Sequence, residues 1–343
     1  MRHGGDIYNN KVNMDFSVNV NPLGIPDEIK TALEKALSEC MNYPDINSDE
    51  LSKRMSEFFG VRREGLIFGN GASELFVAIV NGLRPKGVLI PVPTFCGYEY
   101  AAVNADIMYY EMSEDNGFAL DGAFLDKLTD VDMVFLCNPN NPTGLTIDKE
   151  LLADIITTCD SKDITVVLDE SFSFFCGEDI SLSHRVDEYK NLVIVKSLTK
   201  IFAIPGVRLG VAICGDEKKR ERIGSALPEW NLSVFAQRAG EAGAGLKGFI
   251  SDTVGIVKKE RDYLCGALEK RGFGVILGEA NYLLFYSEMA LYDELLKRGV
   301  LIRDCADFKG LKDGFYRIAV RGHDENRSLM KMIDDILGAE AVK

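Results

Sequence analysis

The chain has no run of about 18 apolar residues, the length a helix needs to cross a bilayer. Its N-terminus, MRHGGDIYNNKVNMD, is polar and lacks the apolar stretch of a secretory signal. Excess positive charge is also lacking: 39 Lys and Arg face 53 Asp and Glu, a formal net charge of -14. That balance speaks against nucleic acid or an anionic membrane surface as the main partner, and any anionic ligand has to be met by a local cationic cluster. The eight cysteines form no C-x-x-C pair, and they share no metal-like spacing with the three histidines. Several, such as Cys137 and Cys214, fall inside apolar runs and read as reduced, buried thiols. No internal repeat or low-complexity tract is present. These absences lead to the expectation of a soluble, cytoplasmic protein with no metal.

What is present fits an ordinary globular chain, with 46% apolar and 27% charged residues. At 343 residues it exceeds the size at which one core stops growing, so two domains are expected. Residues 27–39 and 324–338 repeat apolar side chains at helical spacing. Between them, short runs rich in Val, Ile, Leu, Phe and Tyr at 66–68, 88–91, 106–110, 132–137, 164–168, 192–195 and 208–213 are separated by helix-length stretches. That alternation predicts an α/β fold, a mostly parallel seven-stranded sheet covered on both faces. From about residue 245 the pattern changes to a long charged helix and short strands near 274–277, 282–286, 300–303 and 315–320. The expected division is a large domain over 41–244 and a smaller α+β domain over 245–343, with residues 1–40 packing on the latter.

The run VIVKSLTKIFAIPGVRLG carries the chemistry. After an apolar strand it presents a hydroxyl at Ser197, an amine at Lys200 and a guanidinium at Arg208. An amine forms a Schiff base with an aldehyde, while the hydroxyl and the planar guanidinium bind a phosphate dianion. Pyridoxal 5'-phosphate requires all three, although Lys196 stands close enough to compete for the amine's role. Elsewhere, GNGASEL at 69–75 opens a predicted helix with glycines that admit an anion to the helix's free amides. It departs from a dinucleotide fingerprint, because Glu74 stands at the third glycine. In PVPTFCGYEY, Phe95 and Tyr98 offer either core packing or a partner for a flat ring. NPNNPTG brings Asn141 to the end of one strand, and ITVVLDESF brings Asp169 to the end of another. A carboxylate there needs a partner, and a protonated pyridine nitrogen suits it.

In this order, these motifs resemble the fold-type I pyridoxal-phosphate enzymes of the class I/II aminotransferase superfamily, over nearly the whole chain. The resemblance implies that Lys200 is the Schiff-base lysine, that Asp169 pairs with the pyridine nitrogen, that Asn141 contacts the ring oxygen and that Phe95 stacks on the ring. It assigns the cofactor phosphate to Ala72, Ser73, Ser197 and Arg208. It also implies a homodimer in which Tyr43 reaches the neighbouring subunit's cofactor phosphate. The chain departs from many members at Phe172, where they carry a tyrosine that donates to the ring oxygen.

Within the superfamily the chain resembles the branch holding histidinol-phosphate aminotransferase and threonine-phosphate decarboxylase. His3-Gly4-Gly5, DFSVNVNPLG at 15–24, and the pair LIRDC (301–305) with FYRIAVR (315–321) lean toward the decarboxylase. The implied substrate residues are His3, Asn141, Arg303, Arg317 and Arg321, a cationic set for a small amino acid bearing carboxylate and phosphate. The expected activity is decarboxylation of O-phospho-L-threonine. The alternatives are an aminotransferase for histidinol phosphate or another amino acid with a 2-oxoacid acceptor, and a cofactor-binding protein without turnover.

Overall fold

The computed structural model describes residues 4–177 and 180–340. The strands, in chain order, are β1 (Met14–Asp15), β2 (Leu66–Gly69), β3 (Gly87–Val92), β4 (Asp106–Glu111), β5 (Met133–Cys137), β6 (Thr165–Asp169) and β7 (Leu192–Ser197). They continue with β8 (Gly210–Cys214), β9 (Gly274–Ile276), β10 (Tyr282–Tyr286), β11 (Val300–Leu301), β12 (Arg303–Asp304) and β13 (Phe315–Ala319). Each of the seven apolar runs predicted between residues 66 and 213 forms a strand of one sheet, ordered β2-β8-β7-β6-β5-β3-β4. β3 to β7 pair in parallel, whereas β8 runs antiparallel to both β7 and β2.

The inner strands are apolar on both faces because helices cover both. Leu136, Leu168 and Ile194 point into one core, and Phe135, Val167 and Val193 into the other, the two-residue alternation of a pleated strand. The order of strands reverses between β3 and β5, and at such a switch point the loops at the strands' C-terminal ends diverge to leave a crevice. β3, β5, β6 and β7 all deliver their C-terminal residues there. Because β8 is antiparallel, its N-terminal approach, including Arg208, arrives at the same end, with Gly210 in register with Ser197.

A second, four-stranded antiparallel sheet, β12-β13-β10-β9, packs with the helix His323–Glu340 around a third core. The 23-residue helix Lys247–Glu269 contributes to two cores, Val257 to the first and Leu264 and Leu268 to the third. The N-terminal segment divides its packing. Phe16 lies in the third core and β1 pairs with β11, whereas Ile29 of the helix Asp27–Ala36 belongs to the first core with Ala236 and Ala239. That helix ends at Ala36, and residues 37–39, expected to continue it, form a single 3₁₀ turn. Among the described residues no helix is long and apolar enough to cross a membrane, no group of three His, Cys, Asp or Glu is placed to hold a metal, and the eight cysteines are free thiols.

Candidate active site

The crevice holds a cavity of about 230 Å³ with Lys200 in its lining. Lys200 sits on the short helix Leu198–Ile201 directly after β7, and the backbone of Asn21 donates to its carbonyl at 3.1 Å. Asn21 also ties this turn through its side-chain amide to Ile201 O at 2.7 Å, which gives the DFSVNVNPLG segment a structural purpose. Burial, then the positive charges of Arg317 and Arg208, bring the Lys200 amine down to about 8, against a smaller opposing pull from Asp169. Its ammonium has no hydrogen bond or ion pair among the described residues. Lys196 points to the opposite face of the strand, where Glu170 pairs with it at 2.6 Å and Ser173 accepts from it at 3.0 Å. The competition between the two lysines is thus resolved by the pleat.

Asp169, the last residue of β6, lines the same cavity and is 4% exposed. Its Oδ1 accepts from Ser171 N at 2.9 Å and its Oδ2 from the Tyr98 hydroxyl at 2.6 Å. Burial raises its pKa, and these donors oppose the rise. Asn141, buried after β5, lines the cavity with its Oδ1 held by the Arg317 guanidinium. Phe95 presents its ring to the cavity and packs edge-on against Tyr98 at 5.6 Å.

Ala72 and Ser73 open the helix Ala72–Leu83, whose N-cap is Gly71 at φ 82° with no side chain capping the first amides. Those free N–H groups and the helix dipole make an anion site. Arg208, also lining the cavity, is in a left-handed conformation, φ 65°, and donates to Pro205 O at 3.1 Å. Ser197 shares a hydrogen bond of 2.7 Å with Thr199. An unpaired, half-buried amine, a buried carboxylate with one side toward the cavity, and an anion cradle of amides, hydroxyl and guanidinium form a donor set that fits a phosphorylated pyridine aldehyde. Phe172 lines the cavity without a hydroxyl and packs edge-on against Tyr282 at 5.0 Å.

Arg303 and Arg317 enter from the second sheet, both buried and both lining the cavity. Arg317 donates to Ser17 O at 2.9 Å, and Arg303 to Asp307 at 2.5 Å while lying over the Phe308 ring. Arg321 is not part of the lining: just beyond β13, it pairs with Glu325 at 3.1 Å. Tyr43 is 81% exposed and packs against Trp230 with ring centroids 4.9 Å apart and planes tilted by 35°, outside the cavity of its own chain. His3 lies outside the described residues. Sequence reasoning did not single out Ser17, Asn19, Thr199 and Phe308, which also line the cavity. Asn19 and Ser17 lie in a motif that the sequence did flag, and the buried Asn19 Oδ1 has no partner among the described residues.

Comparison with known proteins agrees with this geometry. A threonine-phosphate decarboxylase from Salmonella typhimurium is 33% identical over 331 residues, 94% of this chain and 91% of its own. A histidinol-phosphate aminotransferase from Methanocaldococcus jannaschii is 29% identical, over 93% of this chain and 88% of its own. The solved histidinol-phosphate aminotransferase from Clostridium acetobutylicum superposes with a TM-score of 0.89 at 30% identity, over 94% of this chain and 98% of that one. Residues 11–333 match the family model described as aminotransferase class I and II, so the chain is a pyridoxal-phosphate-dependent enzyme belonging to that family.

Proposed function

We propose that the protein decarboxylates a phosphorylated amino acid, O-phospho-L-threonine being the best fit. The carrying observation is that Arg303 and Arg317 are register partners on the adjacent strands β12 and β13, both buried and both facing the cavity. Two neighbouring buried guanidinium groups repel one another, and burial together with Arg303 lowers the pKa of Arg317. A ligand carrying two anionic groups relieves that repulsion, as a carboxylate and a phosphate on one small molecule would. The similarity to the Salmonella decarboxylase supports the same substrate.

Pyridoxal phosphate supplies, when bound, an electron sink for a bond broken at the substrate's α carbon. Asp169 would be the counter-ion for its ring nitrogen, Asn141 would contact its ring oxygen, Phe95 would cover its face, and Ala72, Ser73, Ser197 and Arg208 would hold its phosphate. Arg317, fixed by Ser17 O, grips the substrate carboxylate, and Arg303 grips the substrate phosphate. As the carboxylate leaves as carbon dioxide, the Lys200 ammonium is placed to deliver a proton to the α carbon. Arg321, paired with Glu325 outside the lining, takes no part in this arrangement.

Family members are typically homodimers, and the exposed Tyr43 on its Trp230 support is suited to reach a partner's cofactor phosphate. Eight free thiols and a net charge of -14 support a reducing, cytoplasmic setting and no nucleic-acid partner. The division into a large domain over 41–244 and a smaller one over 245–343 is proposed on the separate cores.

The likeness to the Clostridium structure favours a second reading, a histidinol-phosphate aminotransferase. One experiment separates the two. The cofactor-loaded enzyme is mixed with O-phospho-L-threonine without any keto acid, and carbon dioxide is followed with the cofactor's absorbance. Carbon dioxide release over many turnovers is expected. A single turnover to pyridoxamine phosphate would instead establish the aminotransferase.

A further inference from the structure

Asp169 stands on a second residue that the sequence left ambiguous. Tyr98 lies on the helix Gly97–Ala101, is fully buried, and reaches past β5 to Asp169 Oδ2 at 2.6 Å. Aromatic rings fix it on several sides. Its ring stacks on Phe135 at 4.9 Å with planes 13° apart, and meets Phe76 and Phe95 edge-on at 5.0 and 5.6 Å. A phenylalanine would fill this box equally well, so packing does not explain the hydroxyl. A buried hydroxyl needs hydrogen-bond partners, and here Asp169 accepts from it while the Cys137 thiol lies on its other side.

The direction of that bond is settled by charge. Burial and the neighbouring carboxylate push the Tyr98 phenol well above its ordinary range, so it keeps its proton and donates. Ser171, through its backbone N–H on Oδ1 and its side chain, and Tyr98 on Oδ2 fix the carboxylate, and the lone pairs left over are those available to the cavity. A buried carboxylate tends toward its neutral acid, and each donor to the charged form opposes that tendency.

We propose that Tyr98 is a positioning residue: its hydroxyl holds Asp169 as an oriented carboxylate facing the ring nitrogen of the cofactor. The inference rests on the reading of Asp169 as the counter-ion of that nitrogen. It also joins two functions in one aromatic cluster, because the same Tyr98 ring supports Phe95, the residue that covers the cofactor face. Loss of the hydroxyl leaves Asp169 held by Ser171 alone, and the proton shared between carboxylate and pyridine moves toward the carboxylate.

The test is Tyr98→Phe loaded with pyridoxal phosphate carrying nitrogen-15 in the ring. Wild-type enzyme is expected to show the nitrogen resonance of a protonated pyridine, and the variant a resonance displaced toward the unprotonated value. The variant's kcat should fall at least tenfold with KM within about twofold, while bound cofactor and Tm stay near wild type. An identical nitrogen resonance in a variant that carries cofactor would overturn the proposal. An unprotonated nitrogen already present in wild type would overturn the reading of Asp169 and the proposal with it. A readout without cofactor uses the carboxyl carbon of Asp169 in protein labelled with carbon-13 aspartate, compared with Asp169→Asn for assignment. It should titrate at higher pH in Tyr98→Phe, and an unchanged midpoint would count against the hydroxyl's role.

Discussion

Arg208 occupies the space in which Gly71 has no side chain: a Cβ on Gly71 would run into the Arg208 guanidinium. The glycine also holds φ 82° and ψ 165°, a region closed to other residues except at a cost of about 1–3 kcal/mol. Gly71→Ala should therefore displace Arg208 from the helix start and weaken the phosphate cradle. A fall in cofactor affinity of about tenfold or more is expected, with the rest of the fold retained. Equilibrium titration of the cofactor-free variant measures it, and wild-type affinity would show that Arg208 is not part of the cradle.

Lys196 and Glu170 form an ion pair with side chains 1% and 0% exposed, knitting β7 to the residue after β6. Glu170 is further fixed by Ser181 Oγ at 2.6 Å and Leu182 N at 2.9 Å. Lys196→Met leaves this carboxylate buried without its charge partner and should destabilise the protein by about 3–5 kcal/mol. The double variant Lys196→Met with Glu170→Gln should lose less than the sum of the single changes, as a coupled pair does. Denaturant midpoints decide the point. Simple additivity would mean that the pair is not coupled.

This pair also shows where the sequence was and was not readable. The apolar runs located the strands, because a strand buried on both faces leaves a continuous apolar signature. Lys200, Asp169, Asn141 and Arg208 were legible because each follows or precedes such a run within a few residues. Lys196 remained a rival, since proximity along the chain does not say which face a side chain takes. Two-residue alternation in β7 sends Lys196 and Ser197 apart, and only the register with β6 puts Glu170 opposite the lysine. Tyr98 was ambiguous between core and site because it serves in both. Arg321 was assigned with the other arginines by motif, yet it lies just past the end of β13, where Glu325 of the following helix is its nearest partner.

Arg303 and Arg317 should fail in different ways when truncated. Arg317→Ala removes the proposed carboxylate grip and should lower kcat/KM about a hundredfold for any amino-acid substrate, with the cofactor still bound. Arg303→Ala should remove the preference for a phosphorylated over an unphosphorylated substrate, the loss falling on KM. Steady-state kinetics with O-phospho-L-threonine and L-threonine side by side tests both. Equal losses on the two substrates for Arg303→Ala would contradict its assignment to phosphate.

The depressed Lys200 amine has a consequence for stability without cofactor. Its folded value is about 8 and its ordinary value 10.5, so between these the unfolded chain binds a proton that the folded chain has released. In that window stability rises with pH, whereas below it the folded chain carries a desolvated ammonium at a constant penalty. Lys200→Met removes the penalty. The variant's stability advantage over cofactor-free wild type should be full below about pH 8 and should disappear as pH approaches 10.5. Denaturation curves at several pH values check the trend, and an advantage independent of pH would contradict it.

Tyr43 is 81% exposed, and Leu37, Met41, Ile46 and Trp230 beside it in the chain or in space are also exposed. Aromatic and aliphatic side chains left open together mark a surface that a second molecule covers. If the partner is a second copy, each site contains one subunit's Lys200 and the other's Tyr43. Tyr43→Ala and Lys200→Ala should each impair both sites of a homodimer. A hybrid of the two variants restores one complete site, so mixing the inactive proteins under exchanging conditions should recover up to about a quarter of wild-type activity. Sedimentation should show a dimer throughout. A dimer whose mixtures recover no activity would place Tyr43 in its own subunit's site or in none.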